Sequence, residues 1–422
     1  MHKLYKLQNG LKILLVPYTG TQAVAVFVSA KTGSKNEKKE LNGISHFLEH
    51  MVFKGTEKMK DQTELSEAID KLGGAFNGFT SEENTSYYAK VANQHLELAI
   101  DWVSQLYLKP IIPSHEVKKE KGIIIEEINM YRDNPMSFVA NLWQELLYPG
   151  QPAGWPIAGD KKSVNDIEHK DLVSYWKNNY VANNTLICLA GNFDSKKGLS
   201  LIKKYFGKIN TGKPNIKPKL IEKQKSPALK IHSKKTDQTH LLLGVKTFNV
   251  HDERKYPLAL LSETLGGMMS SRLFIEIREK RGLAYYVGTS TEENTDSGFL
   301  VTRAGVENKN SYEAVKAILN EYKKVRKEGI TSEELKKAKD YIKGQTVLGL
   351  ESSESLAAFY SSQELSGEKI KTPNEIFKEI DKIEKSDILK VAKDIFRPDR
   401  LNLAMVGPIS NQVKFKQLLK DF

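Results

Sequence analysis

The chain has few of the features that mark secreted, membrane-spanning or nucleotide-binding proteins. It has one cysteine among 422 residues, Cys188, so no internal disulfide can form. No run approaches the ~20 apolar residues of a membrane span, and no apolar signal segment opens the chain, which predicts a cytoplasmic protein. Gly266-Gly267 and Gly282 are too sparse for a phosphate-binding loop.

The charge balance is basic, with a formal net charge of +12 and a pI near 9.2. The lysines often stand beside glutamates, as in residues 37–40 and 334–337, which is typical of solvated helix faces. Basic and aromatic residues do not alternate as they do in nucleic-acid-binding modules. A nucleic-acid partner is therefore not expected, and 40% hydrophobic residues over this length predict two globular domains.

The most informative segment present is His46-Phe47-Leu48-Glu49-His50. Two histidines four residues apart on a helix lie one above the other and can bind one metal ion together. Zinc binds neutral imidazole nitrogens, and a catalytic zinc site has three protein ligands and an open position for water. The motif predicts two ligands with Glu49 beside them, and a third ligand must come from elsewhere.

A candidate for the third ligand lies in the segment from Ser114 to Asn134, which predicts a helix that ends before Pro135. Glu120 and Glu127 are seven residues apart and share one face, with Ile124 between them. Carboxylates on an apolar face are costly unless something binds them. A metal ion would do so. The alternative for the His-x-x-Glu-His segment is a surface helix that carries two ordinary histidines.

The order His-x-x-Glu-His is the inverse of the commoner His-Glu-x-x-His motif, and 76 residues separate His50 from Glu127. In both respects the chain resembles the pitrilysin or insulinase family of zinc peptidases. The resemblance implies one Zn²⁺ bound by His46, His50 and Glu127, with Glu49 as the general base and Glu120 as a supporting carboxylate.

Glu126 is the alternative to Glu127 as the third ligand. On a helix, Glu126 points about 100° away from Glu127, which shares a face with Glu120. The spacing in the family also favours Glu127.

Two further stretches resemble the same family. Phe76-Asn77-Gly78 lies in a segment similar to the family's edge strand, which implies that these residues bind an extended substrate. Gly78 departs from the pattern, because relatives usually have alanine there. In the second half, Arg278 and Tyr285 resemble a pair seven residues apart that holds the substrate carbonyl or oxyanion.

The sequence also contains an internal duplication. The segment 78–85 recurs at 288–295, displaced by 210 residues, and the segment 180–191 recurs at 396–407. Only the first copy has the histidine pair. The predicted organisation is a zinc-binding catalytic repeat, a linker and a second repeat without metal, at residues 1–209, 210–228 and 229–422.

The predicted fold class is α+β, with two homologous α/β sandwich domains. Each has a largely antiparallel sheet with helices packed on one face. The segment 24–28 alternates like a half-buried strand. The other predicted strands span 3–7, 11–16 and 185–190, and the predicted helices span 43–53, 62–72, 94–108 and 116–131.

The resemblance implies a zinc-dependent endopeptidase that cleaves peptides or unfolded polypeptide segments inside a closed chamber. The alternative is a non-catalytic scaffold or partner subunit of the same fold. Long relatives close the chamber with four repeats, whereas this chain has two, like the subunits of mitochondrial processing peptidase and their bacterial relatives. A homodimer, or a heterodimer with a related subunit, is therefore expected.

Overall fold

The computed structural model describes residues 2–422 and divides the chain into two compact units. Unit 1 consists of Met1–Asn129, Trp155–Pro218 and Leu348–Ile370. Unit 2 consists of Met130–Gly154, Lys219–Val347 and Lys371–Phe422. The units differ from the two predicted halves in that each half contributes one segment to the unit of the other.

Unit 1 contains a six-stranded sheet. In chain order its strands are β1 Lys3–Lys6, β2 Lys12–Pro17, β3 Ala23–Ala30, β4 Ala75–Thr80, β5 Thr85–Ala92 and β6 Thr185–Gly191. Their order in the sheet is β1-β2-β6-β3-β5-β4, and β2 and β6 form the one parallel pair. This order places β4 at an edge, with one side not covered by another strand of the described residues.

Unit 2 contains a five-stranded sheet. Its strands are β7 Ala228–Ser233, β8 Gln238–Lys246, β9 Ala284–Glu293, β10 Gly298–Glu307 and β11 Leu401–Gly407. Their order is β7-β11-β8-β10-β9, with β7 and β11 parallel. This topology repeats β2-β6-β3-β5-β4 strand for strand, which confirms the internal duplication.

The helices of the chain are α1 Ile44–Val52, α2 Gln62–Asp70, α3 Leu96–Leu108, α4 Ser114–Asp133, α5 Pro135–Leu147, α6 Lys161–Asp166, α7 His169–Asn179, α8 Ser195–Phe206, α9 Lys255–Ser262, α10 Ser311–Glu328, α11 Ser332–Gly349, α12 Ser353–Leu365, α13 Pro373–Lys382, α14 Lys385–Ile395 and α15 Val413–Lys420. Two π-helical segments, Glu263–Gly267 and Phe274–Lys280, lie in unit 2. Among residues 2–422, no helix has both the length and the apolar character needed to cross a bilayer.

The segment Leu348–Ile370, which the second half contributes to unit 1, explains why one strand prediction is wrong. The strand at 24–28 was expected to be half-buried, but every residue of β3 after Ala23 is buried. Helix α12 packs on the second face of the sheet, where Ala357 and Tyr360 join a core with Phe27 and Cys188. Both faces of β3 are therefore covered.

Helix α5 covers the second sheet in the corresponding way. Trp143 and Leu142 of α5 pack in a core with Phe299 and Ala404 of unit 2. The α+β fold class is thus confirmed, and each sheet carries one additional helix on its second face.

The ends of α4 and α5 differ from the prediction, because a single residue, Asn134, separates the two helices. Ser114 is a typical N-cap residue and would be expected just before the helix, but helix α4 begins at Ser114 itself. Asn134, expected only as a stop, accepts hydrogen bonds from the backbone N–H groups of Met136 and Ser137 and caps α5, with Pro135 as the first helical residue.

Candidate metal centre

The His-x-x-Glu-His segment lies on α1, whose N-terminus is held by a buried carboxylate. Glu37 accepts hydrogen bonds from the backbone N–H groups of Gly43 and Ser45, at 2.8 and 2.9 Å, and from the Asn42 amide. Gly43 has a φ of +96°, and a Cβ there would lie 2.6 Å from the carbonyl oxygen of Ala158. Position 43 therefore requires glycine.

The rest of α1 is fixed by the core of unit 1. Its fully buried apolar residues are Ile44, Phe47, Leu48, Met51 and Val52. The opposite face of the helix presents His46, Glu49 and His50, which are all only partly buried. The core thereby sets the direction in which the two imidazoles and the carboxylate point.

The structure brings the three predicted ligands together. The Nε2 atom of His46 lies 3.6 Å from Oε2 of Glu127, and Nε2 of His50 lies 3.7 Å from the same oxygen. One donor atom from each residue lies within 4.8 Å of the others. Ligand atoms of a tetrahedral zinc site with bonds of about 2.0–2.1 Å are about 3.3 Å apart, so these donors fit zinc after small movements.

The protonation of His46 suits a metal ligand. Burial, together with the charge of nearby His50, lowers the pKa of His46 to about 3. The imidazole is therefore neutral near pH 7, which is the form that binds metal. Its Nδ1 is buried and has no hydrogen-bond partner among residues 2–422.

Glu120, which the resemblance implies as a supporting carboxylate, contacts one of the two histidines. Its Oε1 lies 2.9 Å from Nδ1 of His50, and its side chain is only 3% exposed. Burial by itself would raise the pKa of Glu120, but the contacts with His50 and Lys54 outweigh burial and lower this pKa. Glu120 is therefore a carboxylate that orients the imidazole of His50.

Glu126 and Glu127 point in different directions. Glu126 is exposed and accepts a hydrogen bond from the Asn129 amide at 3.3 Å. Glu127 faces both histidines. Of these two adjacent carboxylates, only Glu127 joins the group of potential metal ligands.

Glu49 is held by a residue that the sequence analysis did not single out. The hydroxyl of Thr80, at the end of β4, donates a hydrogen bond of 2.6 Å to Oε2 of Glu49. Burial raises the pKa of Glu49, and the hydrogen bond from Thr80 partly offsets this effect. Thr80 lies only two residues beyond Gly78, but sequence spacing does not indicate which helix its hydroxyl contacts.

The predicted substrate-binding residues of β4 lie on alternate sides of the strand. Phe76 packs on Trp102, with ring centres 5.0 Å apart, so its side chain belongs to the core. Asn77 is exposed, and its Oδ1 accepts the backbone N–H of Gly78. A Cβ at Gly78 would lie 3.1 Å from Cγ of Glu49, so glycine leaves room beside this carboxylate.

Arg278 and Tyr285 lie in unit 2, where the structure brings them together. Arg278 belongs to the second π-helical segment, and Tyr285 follows the first residue of β9. The guanidinium carbon lies 5.7 Å from the centre of the Tyr285 ring and 5.1 Å from that of Phe274. Tyr285 is 74% exposed, so its hydroxyl can reach a ligand.

Fold and site together define a two-unit α/β protein with an inverted histidine motif and a third carboxylate donor. The insulinase (peptidase family M16) model matches residues 12–161, and the peptidase M16 inactive domain model matches residues 166–342. The protein named uncharacterized zinc protease YmxG, from Bacillus subtilis, is 36% identical over 97% of this chain and 99% of its own length. The chain therefore belongs to the insulinase family, peptidase family M16.

Solved structures show the same fold. A protease from Helicobacter pylori has a TM-score of 0.91 at 24% identity and covers 97% of this chain and 99% of its own. A structure described as a peptidase M16 inactive domain, from Pseudomonas fluorescens, has a TM-score of 0.89 at 18% identity, with the same coverage. Structures of this fold are described both as a protease and as an inactive domain, so the fold alone does not determine activity.

Proposed function

We propose that this protein is a zinc-dependent endopeptidase that hydrolyses peptides or unfolded polypeptide segments. The observation that carries the proposal is the convergence of His46, His50 and Glu127 within 4.8 Å, with Glu49 on the same helix. Two neutral imidazoles and one carboxylate are a donor set of catalytic zinc sites. Zinc held by these three residues would supply a water of lowered pKa and would polarise the substrate carbonyl.

The side chain that moves protons is Glu49. Its carboxylate takes the proton of the attacking water and then passes it to the leaving amine. Burial raises the pKa of Glu49, which makes its carboxylate a stronger base. Thr80 holds one carboxylate oxygen by its hydrogen bond.

The substrate contacts that we propose come from β4 and from unit 2. β4 is an edge strand, so its outer backbone groups can pair with an extended peptide. Asn77 lies on its exposed face. Arg278 and Tyr285 supply a cation and a phenol for the substrate carbonyl or the oxyanion.

We further propose that the working form is a dimer in which each site is shared between two chains. A chain with two repeats has one metal centre and one Arg278 and Tyr285 pair. Two chains related by a two-fold axis would complete two equivalent sites.

The proposal predicts that Glu49→Gln separates metal binding from catalysis. Glu49 is not among the three donors, so the variant keeps about one zinc per chain. Turnover falls by about 10³-fold or more because the proton acceptor is lost. Metal content is measured by elemental analysis, and turnover is measured with a quenched fluorescent peptide library with and without a chelator.

Paired variants test the choice of the third ligand. Glu127→Gln should lose zinc, whereas Glu126→Gln should keep both zinc and activity because Glu126 is exposed and contacts Asn129.

Normal cleavage by Glu49→Gln would refute the mechanism. A wild-type protein that binds zinc but cleaves none of the peptides would favour a non-catalytic scaffold.

A further inference from the structure

A largely buried lysine lies one turn beyond the second histidine. Lys54 follows the end of α1, and its backbone N–H bonds to the carbonyl of Met51. Its side chain is only 10% exposed. Lysine is almost never buried without a partner, so the surroundings of this ammonium group are informative.

The ammonium contacts the carboxylate that orients His50. Nζ of Lys54 lies 2.7 Å from Oε2 of Glu120, while Oε1 of the same carboxylate lies 2.9 Å from Nδ1 of His50. Nζ also donates a hydrogen bond of 3.1 Å to the side-chain oxygen of Gln62. Ammonium, carboxylate and imidazole thus form a continuous chain that ends at Nδ1 of His50, while Nε2 of the same ring faces Glu127.

This chain of contacts matters because His50 has a side chain that contacts its Nδ1, whereas His46 has none among residues 2–422. His46 Nδ1 has no hydrogen-bond partner within residues 2–422, so no side chain fixes its tautomer. His50 depends on Glu120, and an isolated carboxylate that is 3% exposed is costly to keep charged. The ammonium of Lys54 compensates that charge and holds one oxygen, which leaves the other oxygen directed at Nδ1.

We propose that Lys54 is a positioning residue of the metal centre: it fixes Glu120, and Glu120 in turn orients His50 so that Nε2 faces the metal. Lys54 is not one of the three proposed ligands. The inference rests on the proposed function, because it concerns the same three ligands.

Lys58 provides a matched control on the same segment. Its Nζ lies 2.7 Å from Asp101, the same distance as in the pair of Lys54 and Glu120. However, the side chains of Lys58 and Asp101 are 56% and 27% exposed, and the pair does not contact the histidines. Exposed ion pairs contribute little, so removing this lysine should leave the metal centre unchanged.

The test is the zinc affinity of metal-stripped full-length protein, measured by competition with a chromophoric chelator at fixed pH and ionic strength. Lys54→Met should weaken zinc binding by about 10-fold or more, as expected for loss of a partner that supports a metal ligand. Lys54→Arg should restore most of the affinity because it keeps the charge. Lys58→Met should match the wild type.

A double-mutant cycle shows whether Lys54 acts through Glu120. If it does, Lys54→Met adds no further loss of zinc affinity in a Glu120→Gln background. Additive losses would overturn the proposal. So would a Lys54→Met variant with lower thermal stability but unchanged zinc affinity, because that result indicates a purely structural role.

Two further outcomes are distinguishable. A wild-type protein that binds no zinc overturns both the proposed function and this inference. If the wild type binds zinc and Lys54→Met binds it with the same affinity, only the inference is overturned. Lys54→Gln is made in parallel, so that the cycle can be completed if the methionine variant does not fold.

Discussion

Glu37 carries no chemistry of its own, but it fixes the helix that does. Its carboxylate is 3% exposed and satisfies backbone donors at the start of α1. Burial raises its pKa from 4.5 to about 7, although the hydrogen bonds from Asn42, Ser45 and Gly43 act in the opposite direction. The position of His46 and His50 therefore depends on a residue that titrates near neutral pH.

The pKa of Glu37 predicts a change in stability with pH. Because the folded pKa is raised, the stabilisation is complete below pH 4.5 and is lost as the pH rises to about 7. In metal-free wild-type protein, this loss should lower the melting temperature by about 4 °C between pH 4.5 and 7.5. Calorimetry of wild type and Glu37→Gln at a series of pH values measures the effect.

The difference between the two proteins isolates Glu37 from other titrating groups. His46, whose pKa is lowered to about 3, destabilises both proteins as the pH falls below 6.5, so its effect cancels in the comparison. Glutamine cannot ionise and should give the flatter profile. Parallel profiles would mean that the backbone donors keep Glu37 at its ordinary pKa.

Among single residues, the sequence indicated which side chains of α1 and α4 face one another, including Glu120, but it did not indicate Lys54. His46, His50, Glu120 and Glu127 lie on two helices, and helical periodicity determines which residues share a face. Lys54 acts through a residue of another helix, 66 positions away along the chain. Such pairings depend on how helices pack, and the spacing of charged residues does not report that.

Among the elements, β4 combines two roles. Its outer edge has no neighbouring strand within residues 2–422, and its last residue, Thr80, donates a hydrogen bond to Glu49. A peptide that pairs with this edge would therefore lie on the same strand that holds the proposed base. Small displacements of β4 should affect Glu49 as well as substrate binding.

Thr80→Val tests that link with little change in shape. Loss of the hydroxyl removes a hydrogen bond that stabilises the charged carboxylate, so the pKa of Glu49 rises. The acidic limb of the profile of kcat/KM against pH should move up by about one pH unit, since a hydrogen bond to a charged group contributes about 1.5 kcal/mol. Zinc content should not change.

Thr80→Ser is the control, because it keeps the hydroxyl. It should return the acidic limb close to the wild-type position. An unchanged limb in Thr80→Val would show that the hydroxyl does not influence the base, and loss of zinc in that variant would indicate a wider disturbance of the site.

The exchange of α5 and α12 is the element-level feature that the sequence did not predict. The segment of α5 was not predicted as a helix, and β3 was expected to have one solvated face. Periodicity indicates that a helix face is apolar, but it does not indicate which sheet will cover it. The partners of Tyr360, such as Phe27 and Cys188, are more than 170 residues away.

For the whole molecule, the shared-site dimer makes a prediction about mixed subunits. Glu49→Gln and Tyr285→Phe should each be inactive alone. In a mixed dimer, one of the two sites has a wild-type metal centre and a wild-type Arg278 and Tyr285 pair. After full subunit exchange, mixing should restore about a quarter of wild-type activity, because half the dimers are mixed and one of two sites is intact.

A second mixture distinguishes complementation from simple stabilisation. Glu49→Gln with Glu127→Gln places both defects in the metal centre, so no site in the mixed dimer is intact and activity should stay absent. If the first mixture also recovers nothing after verified exchange, each chain completes its own site or uses a different partner.

The interleaved segments also bear on biosynthesis. Unit 1 is complete only with Leu348–Ile370, since α12 covers the face of its sheet that includes Phe27 and Cys188. Until the ribosome has translated the part of the messenger RNA that encodes α12, this face of the sheet lacks the helix that covers it. The first repeat therefore cannot finish folding as it emerges, and its sheet is covered on both faces only after the chain has been made through Ile370.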